Sequence, residues 1–429
     1  MTAPDAPAGS TISLWDASAT ETDFHAPLNS DALVDVAVIG GGYTGLSTAL
    51  HAAEKGLAAH VIEAEKIGFG GSGRNVGLVN AALWLPPQQV RAQLGDTYGP
   101  RALTRLSAGP DYVFSLIEKH QIRCEAMRNG TIHAAHGPSG FADLAARHSE
   151  WQRLGQPVDL LSRAEVAQMI GSDHFHGGLL DHRAGTVNPM GFCRGLARAA
   201  RGAGAKISTG VRAIKLHREA GQWRVETTQG DLRARAVVLG TNAYSDDLWP
   251  GLRRSFTVIN YFQLATAPLG PEAAHILPGR QGLWDTGQIM FSLRRDSFDR
   301  LLVGSMGTIF GSKDRGLSQR WARKQLARVF PDLGPMRFEA AWHGQIAMTP
   351  DYLPRIHQLA ENLFTPIGYN GRGITTGTLF GQSMAEILTG MPLADLPLPV
   401  SQMAPAPQGP IRSKLYQAAF TANQIFKAI

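Results

Sequence analysis

The sequence predicts an α/β protein in which a parallel sheet wound by helices is interleaved with a second, α+β region built on a mixed β-sheet. Three observations predict it. A short apolar run, Val34 to Ile39, ends in three consecutive glycines and is followed by helical spacing and a second short run. Late in the chain "LFTPIGYNGRGITTGTLFGQ" repeats the sequence of strand, glycine turn and helix. Between these segments the texture changes to alternating runs, "VINYFQLATAPL" and "IMFSLRRDSFDRLLVGSM", typical of strands in a mixed sheet.

Bulk composition sets the frame. A chain of 429 residues holds two or three ordinary domains, and 44% hydrophobic with 18% charged residues belongs to a globular protein. The 48 glycines exceed an average composition, as expected where backbone approaches backbone or a ligand. No run of about 18 apolar residues spans a bilayer and the N-terminus lacks a leader pattern, so a cytoplasmic protein is expected. Cys124 and Cys193 alone build neither a disulfide framework nor a zinc site. The net charge of +6 is spread over scattered arginines rather than a basic block, which argues against nucleic acid as a partner.

The first element is "DVAVIGGGYTG". Val34 to Ile39 reads as a buried strand. The helix beginning at Tyr43 and Thr44 carries Leu46, Ala49, Leu50 and Ala53 at helical spacing and stops at Gly56, and "LAAHVIEAE" gives a second strand ending at Glu63. Together they form a Rossmann-like βαβ unit. Gly40 permits the tight turn, Gly42 lets the helix N-terminus approach a pyrophosphate, and Gly45 lets helix and strand pack closely. The unpaired amides at the helix start hold phosphates. Glu63, 21 positions after Gly42, is placed to accept both ribose hydroxyls of an adenosine and to repel a 2′-phosphate.

Beyond Glu63 comes "KIGFGGSGRNVGLVN", with Ser72, Arg74 and Asn75 in a second glycine cluster. Here the chain resembles the flavin amine oxidoreductase family that includes D-amino-acid oxidase, glycine oxidase and sarcosine oxidase, and within it most resembles the γ-glutamylputrescine oxidase branch. The resemblance extends from about Ser13 to Gly390. "GTVNPMGFCRGLARAARGAGAKISTGVRAIKL" resembles the family segment that closes over the FAD adenosine near Val211. "RARAVVLGTNAYS" resembles the strand returning under the flavin, with Thr241 and Asn242 at its end. "GYNGRGITTGTLFGQ" resembles the turn and helix start, Gly371, Gly373, Ile374 and Thr375, that meet the flavin pyrimidine.

The resemblance implies FAD as cofactor, with Ser72, Arg74 and Asn75 against it. Amides at the second helix start would also stabilise negative charge growing on a flavin during reduction. Covalent attachment in the family uses a late cysteine or a histidine after the acid. Neither occurs here, so non-covalent FAD is expected. No second GxGxxG and no redox cysteine pair is visible, so electrons are expected to come directly from a small-molecule amine and to leave to oxygen or another acceptor.

The implied domains are discontinuous: residues 31–85, 179–248 and 341–400 bind FAD, and 86–178 and 249–340 bind substrate. Amine oxidation needs a site that excludes water and holds a neutral amine near the flavin, a task suited to aromatic walls. Tyr261 and Trp342, with Arg74 and His343, are assigned to the reacting centre; Phe262, Trp284, Phe291 and Arg295 are assigned to substrate. Arg294 and Arg295 sit where relatives place an arginine facing substrate, and also read as a solvent-facing pair. The sarcosine-oxidase branch grips a carboxylate at the positions of Gly77 and Thr375, which carry no charge here. That favours a longer amine whose carboxylate lies far from the reacting carbon.

No lysine lies between Lys215 and Lys313, which leaves oxidase and dehydrogenase open, the latter using a quinone or an electron-transfer protein. A catalytically inactive flavoprotein with a binding role is the reading from another class. His174 and His176 lack further ligands, so no metal is expected.

The first 30 residues, rich in Ala, Pro, Ser and Thr, read as an N-terminal arm whose first ten or so are mobile. Residues 401–429 read as a C-terminal helical segment that docks through Leu415, Ala419, Ala422, Phe426 and Ile429. Contact of that helix with a membrane is the lesser expectation.

Overall fold

The structure, a computed structural model, describes residues 13–28, 33–406 and 409–428. The α/β expectation holds, and the architecture is two sheets. Strand Leu33–Ile39 pairs in parallel with Ala59–Glu63 and with Gly230–Leu239 at the heart of a nine-stranded sheet. Lys206–Thr209 and Leu363–Ile367 extend the parallel set, and Arg355–Ala360 runs antiparallel beside Leu363–Ile367. Its central residues Val36, Ala37 and Val38 are fully buried because helices and a hairpin cover both faces.

The second sheet is mixed. Its order is Phe338–Met348, Thr257–Thr266, Leu301–Met306, Phe291–Arg295, Gly282–Asp285, Thr131–Ala134, Gly178–Asp181 and Val158–Leu161. Only Gly282–Asp285 with Thr131–Ala134 is parallel. The domain boundaries expected at 178/179 and 340/341 each cut a strand of this sheet, whose segments run on to Asp181 and Met348. Helix Gly109–Lys119, expected on the substrate side, packs on helix Gly373–Leu388, and its Tyr112 hydroxyl lies 2.9 Å from His51 Nε2 of the first βαβ helix.

The N-terminal arm is, from Ser13 to Leu28, a clasp. Trp15 is fully buried and its indole Nε1 donates to Asn75 O at 2.8 Å, while Ser13 Oγ donates to Gly73 O at 2.8 Å. Asp16 binds Lys66 at 2.8 Å and Arg194 at 3.2 Å. The expected mobility of the first ten residues concerns positions outside the described ones.

The C-terminal helix Gly409–Ala428 docks, but not by the expected stripe. Leu415 is 64% and Phe426 82% exposed, and Ala419 and Ala422 also face out. Ile429 lies outside the described residues. The docked face is formed by Phe420, Gln424 and Ala428, with Ser413 Oγ donating to Val258 O at 2.7 Å and Gln424 Nε2 to Ser318 Oγ at 2.9 Å. The contact thus combines two apolar side chains with hydrogen bonds to strand Thr257–Thr266 and to helix Leu317–Val329. Among the described residues no helix is long and apolar enough to cross a membrane.

Candidate active site

A continuous cleft of about 2050 Å³, open solvent at its mouth included, runs from the first glycine turn to the underside of the mixed sheet. At one end Gly40, Gly42, Tyr43, Thr44 and Glu63 line it. Gly40 adopts φ +107°, open to glycine at little cost. A Cβ on Gly45 would overlap Gly40 O and come within 3.1 Å of Val38 Cγ1, and one on Gly42 would come within 2.8 Å of Ser72 Oγ. Helix Tyr43–Glu54 therefore packs on its strand only because these positions lack side chains. The N-cap residue Gly42 has no side chain to cap that helix, and its first turn, Tyr43 and Thr44, lines the cleft.

Glu63 Oε2 accepts from Gly41 N at 2.6 Å and Oε1 from Glu65 N at 2.9 Å. Burial pushes its carboxyl up, against the pull of the two amides. Val211 lies behind the wall with its amide on Glu63 O at 2.9 Å, and its neighbours Arg212 and Ala213 line the cleft.

The middle is built by the loop after Glu63 and by the returning strands. Ser72 Oγ accepts from Tyr43 N at 3.0 Å, and Asn75 Nδ2 donates to Gly71 O at 2.9 Å and Ser72 O at 3.0 Å, fixing the "SGRN" turn. Thr241 and Asn242 line the cleft; Asn242, at φ +42°, accepts from Gly368 N at 3.0 Å. Gly371, Gly373 and Ile374 line it at the start of helix Gly373–Leu388, which also lacks a side-chain cap. Thr375 stands one step back, its hydroxyl donating to Asn80 O at 3.0 Å.

Arg74, expected at the reacting centre, does not line the cleft; its guanidinium lies over the Phe69 ring of its own loop, with Nε on Phe69 O at 2.7 Å and Nη1 on His343 O at 3.4 Å.

At the far end period-two alternation decides what faces the cleft. Tyr261 and Gln263 of strand Thr257–Thr266 line it with Trp284, Met290, Ser292, Ser305 and Met306. Their side chains lie over glycines of neighbouring strands. A Cβ on Gly344 would come within 2.5 Å of Tyr261 Cζ, and one on Gly304 would overlap the Gln263 amide. Tyr261 Oη, Gln263 Oε1 and Trp284 Nε1 are buried without hydrogen-bond partners among the described residues. Burial pushes the Tyr261 hydroxyl well above its usual range, so it stays protonated.

Several expected site residues fall elsewhere. Phe262 and Phe291 occupy the opposite face, packed on Trp321 of helix Leu317–Val329 with centroids 5.0 and 6.3 Å away. Adjacent residues of one strand cannot both face the cleft, so Tyr261 excludes Phe262. Arg295 is buried on that helix-covered side, bound to Asp299 at 3.0 Å and to the carbonyls of Ala273 and Ile276 at 3.0 and 2.9 Å. Arg294 is buried too, donating to Val76 O at 3.1 Å and Val187 O at 2.5 Å, so the pair is neither solvent-facing nor in the cleft.

Trp342 is buried behind the cleft, edge-on to Trp15, with Nε1 donating to Arg74 O at 2.8 Å. His343 does not line the cleft; burial first, then Arg74, hold its imidazole below the usual range. Both contact Arg74, Trp342 through its indole and His343 through its carbonyl. Among the described residues no group of His, Cys, Asp and Glu forms a metal site.

The sequence reading missed Trp84, Gln263, Ser292, Ser305, Tyr369 and Arg372. Alternation from Tyr261 pointed to Gln263, and the "GYNGRG" turn contained both Tyr369 and Arg372. Trp84, in a loop without periodicity, left no signal.

Two helix starts facing one cleft, a buried acid beside the first and a chamber under a mixed sheet define a dinucleotide-dependent oxidoreductase. The chain belongs to the family described as FAD dependent oxidoreductase, whose model matches residues 35–387. It is 30% identical over 383 residues to the gamma-glutamylputrescine oxidoreductase of Escherichia coli K12, covering 89% of each chain. It is 24% identical to the glycine oxidase of Geobacillus kaustophilus, over 82% of this chain and 92% of that one. The crystal structure of glycine oxidase from Geobacillus kaustophilus superposes with a TM-score of 0.69 at 22% identity, covering 87% of this chain and 99% of that one. The cofactor of this chain is FAD, and the glycine cradle, the two helix starts and Glu63 fit one.

Proposed function

We propose that the protein oxidises a primary or secondary amine, of which a γ-glutamyl amine such as γ-glutamylputrescine is the leading candidate, to an imine that water then hydrolyses. FAD, held without a covalent bond, supplies the two-electron acceptor. The relatives named for amine and amino-acid oxidation support the class, and the gamma-glutamylputrescine oxidoreductase supports the candidate.

The observation that carries the reading is the chemistry of the far chamber. Its polar lining is neutral, Tyr261, Gln263, Ser292 and Ser305, and every charged residue lining the cleft belongs to the adenosine end: Glu63, Glu65, Arg212 and Asp246. A chamber without a carboxylate, lysine or histidine suits a substrate that releases hydride without a protein base. A neutral amine does this once it is oriented and desolvated. Gln263 Oε1 accepts from an amine N–H, with the amide held by Ser292 Oγ at 3.4 Å from Nε2, and Tyr261 Oη donates to a substrate oxygen or nitrogen. Low polarity favours the neutral amine by lowering its pKa.

Neither family clamp position offers a cation. Gly77 sits at φ +83°, a Cβ there would overlap Arg294 Nη1 and Val187 O, and the Thr375 hydroxyl is bound to Asn80 O. This disfavours a small α-amino acid. The test is product analysis: incubation with γ-glutamylputrescine, putrescine, sarcosine and glycine, with aldehyde and ammonia measured. Turnover of glycine or sarcosine in preference to the longer amines would refute the reading.

A second reading concerns the electron acceptor. Ile411, Leu415, Ile425 and Phe426 of the C-terminal helix are 44–82% exposed, a surface suited to a lipid interface where a quinone waits. Reduced protein reoxidised faster by a soluble quinone than by oxygen would favour a dehydrogenase; the reverse makes oxygen the acceptor.

A further inference from the structure

We propose that Arg372 is the receptor for a carboxylate at the far end of the substrate. The protein thereby selects amines that carry such an anionic tail. This deepens the amine reading above and rests on it for the identity of the reacting group.

Arg372 does not itself line the cleft but precedes helix Gly373–Leu388 between two glycines that do. Its guanidinium carbon lies 4.5 Å from the Trp84 ring centroid and 5.1 Å from that of Trp284, and both rings line the cleft. The stack continues, with the His133 ring on Trp284 at 4.9 Å. Arg372 is only 8% exposed. Burial pushes its guanidinium down to about 9, which leaves it charged at neutral pH.

No hydrogen bond or ion pair of the Arg372 side chain is found among the described residues, and its Nε is enclosed without an acceptor. The contrast with the other buried arginines is sharp. Arg74, Arg183, Arg194, Arg294 and Arg295 each donate to at least one protein oxygen. Asp181, the carboxylate that attracts Arg372, is already bound to Arg183 at 2.6 and 2.8 Å.

Two indole faces offset only part of the desolvation of a buried cation. The remainder calls for an oxyanion, and a guanidinium fork matches a carboxylate in plane and spacing. A second donor stands beside it: the buried Trp284 Nε1, also without a partner. Tyr261 and Gln263, on a different strand, are left for the amine end.

The test separates binding from turnover. The yellow protein is titrated with glutarate and with its neutral isostere glutaramide, following the flavin spectrum and tryptophan fluorescence. Glutarate is expected to bind at least about tenfold more tightly than glutaramide, the scale of a charge-assisted hydrogen bond. Arg372→Met is expected to abolish that preference with FAD content unchanged, and Arg372→Lys to restore part of it. Equal binding of the two compounds, no binding of glutarate to the native protein, or loss of FAD by Arg372→Met at an unchanged ratio would each overturn the proposal. The native comparison needs no variant, so it stands if Arg372→Met fails to fold. If no amine is oxidised yet glutarate is preferred, the amine reading fails and the receptor stands.

Discussion

The Tyr369 hydroxyl lies 2.7 Å from Thr44 Oγ1, joining the turn before helix Gly373–Leu388 to the first turn of helix Tyr43–Glu54. Both residues line the cleft, so one buried hydrogen bond ties together the two helix starts that face the cofactor. Burial keeps the Tyr369 hydroxyl protonated, and it donates to Pro366 O at 3.1 Å, so Thr44 Oγ1 donates to Tyr369 Oη. Tyr369→Phe should leave Thr44 Oγ1 unpaired, cost about 1 kcal/mol of stability and weaken FAD retention. Thermal unfolding and FAD dissociation measured on the same preparations check this; an unchanged dissociation constant would separate the bond from the cofactor.

Gly45→Ala should do more damage. Its methyl would overlap Gly40 O, a backbone atom that cannot yield without moving the strand. Overpacking of about 1–3 kcal/mol is expected. The displaced turn should release FAD, read as loss of yellow colour after desalting. A yellow, stable variant would show that the glycine turn is not the cofactor's cradle.

Neither Cys124 nor Cys193 lines the cleft, and both thiols are pushed up by burial. Acid precipitation should therefore leave all flavin in the supernatant. Flavin retained in the pellet would contradict non-covalent binding.

His60 is buried on strand Ala59–Glu63, its Nε2 2.9 Å from Ser208 Oγ, and burial, with Lys206, pushes its imidazole down to about 4. The unfolded chain takes up this proton below about 6.5 and the folded one does not, so stability is lost as pH falls through that window. Denaturant unfolding should show about 2 kcal/mol less stability from this group at pH 5 than at pH 7.5, a loss that His60→Gln removes.

The parallel half of this protein was legible because local rules agree there. Val34 to Ile39, the glycines and Glu63 each specify the same βαβ unit, and "LFTPI" forms its strand without deviation at Leu363–Ile367. The substrate half was legible as strands but not as a site. Which face of Thr257–Thr266 meets the cleft depends on a partner sheet and helix that no short window contains, so Phe262 and Tyr261 looked equivalent. The buried arginines were opaque for the same reason: Arg294 and Arg295 are buried by the carbonyls of Val76, Val187, Ala273 and Ile276, which no short window around them contains. The C-terminal helix misled because the face that docks, Phe420, Gln424 and Ala428, mixes apolar and polar residues and so leaves no clean apolar stripe.

Tyr261→Phe removes an unpartnered hydroxyl from the chamber without touching the cofactor end. Its loss should raise KM or lower kcat by roughly tenfold, the scale of one hydrogen bond of about 1.4 kcal/mol, at unchanged FAD content. Unaltered kinetics would place the amine elsewhere.

The central claim, that the cleft oxidises an amine directly, is tested most directly by mixing the yellow protein anaerobically with γ-glutamylputrescine at neutral pH in a stopped-flow instrument. Loss of the visible flavin band in a single turnover, and none with N-acetylputrescine at equal concentration, is the result expected. A band that persists with every amine offered would contradict it.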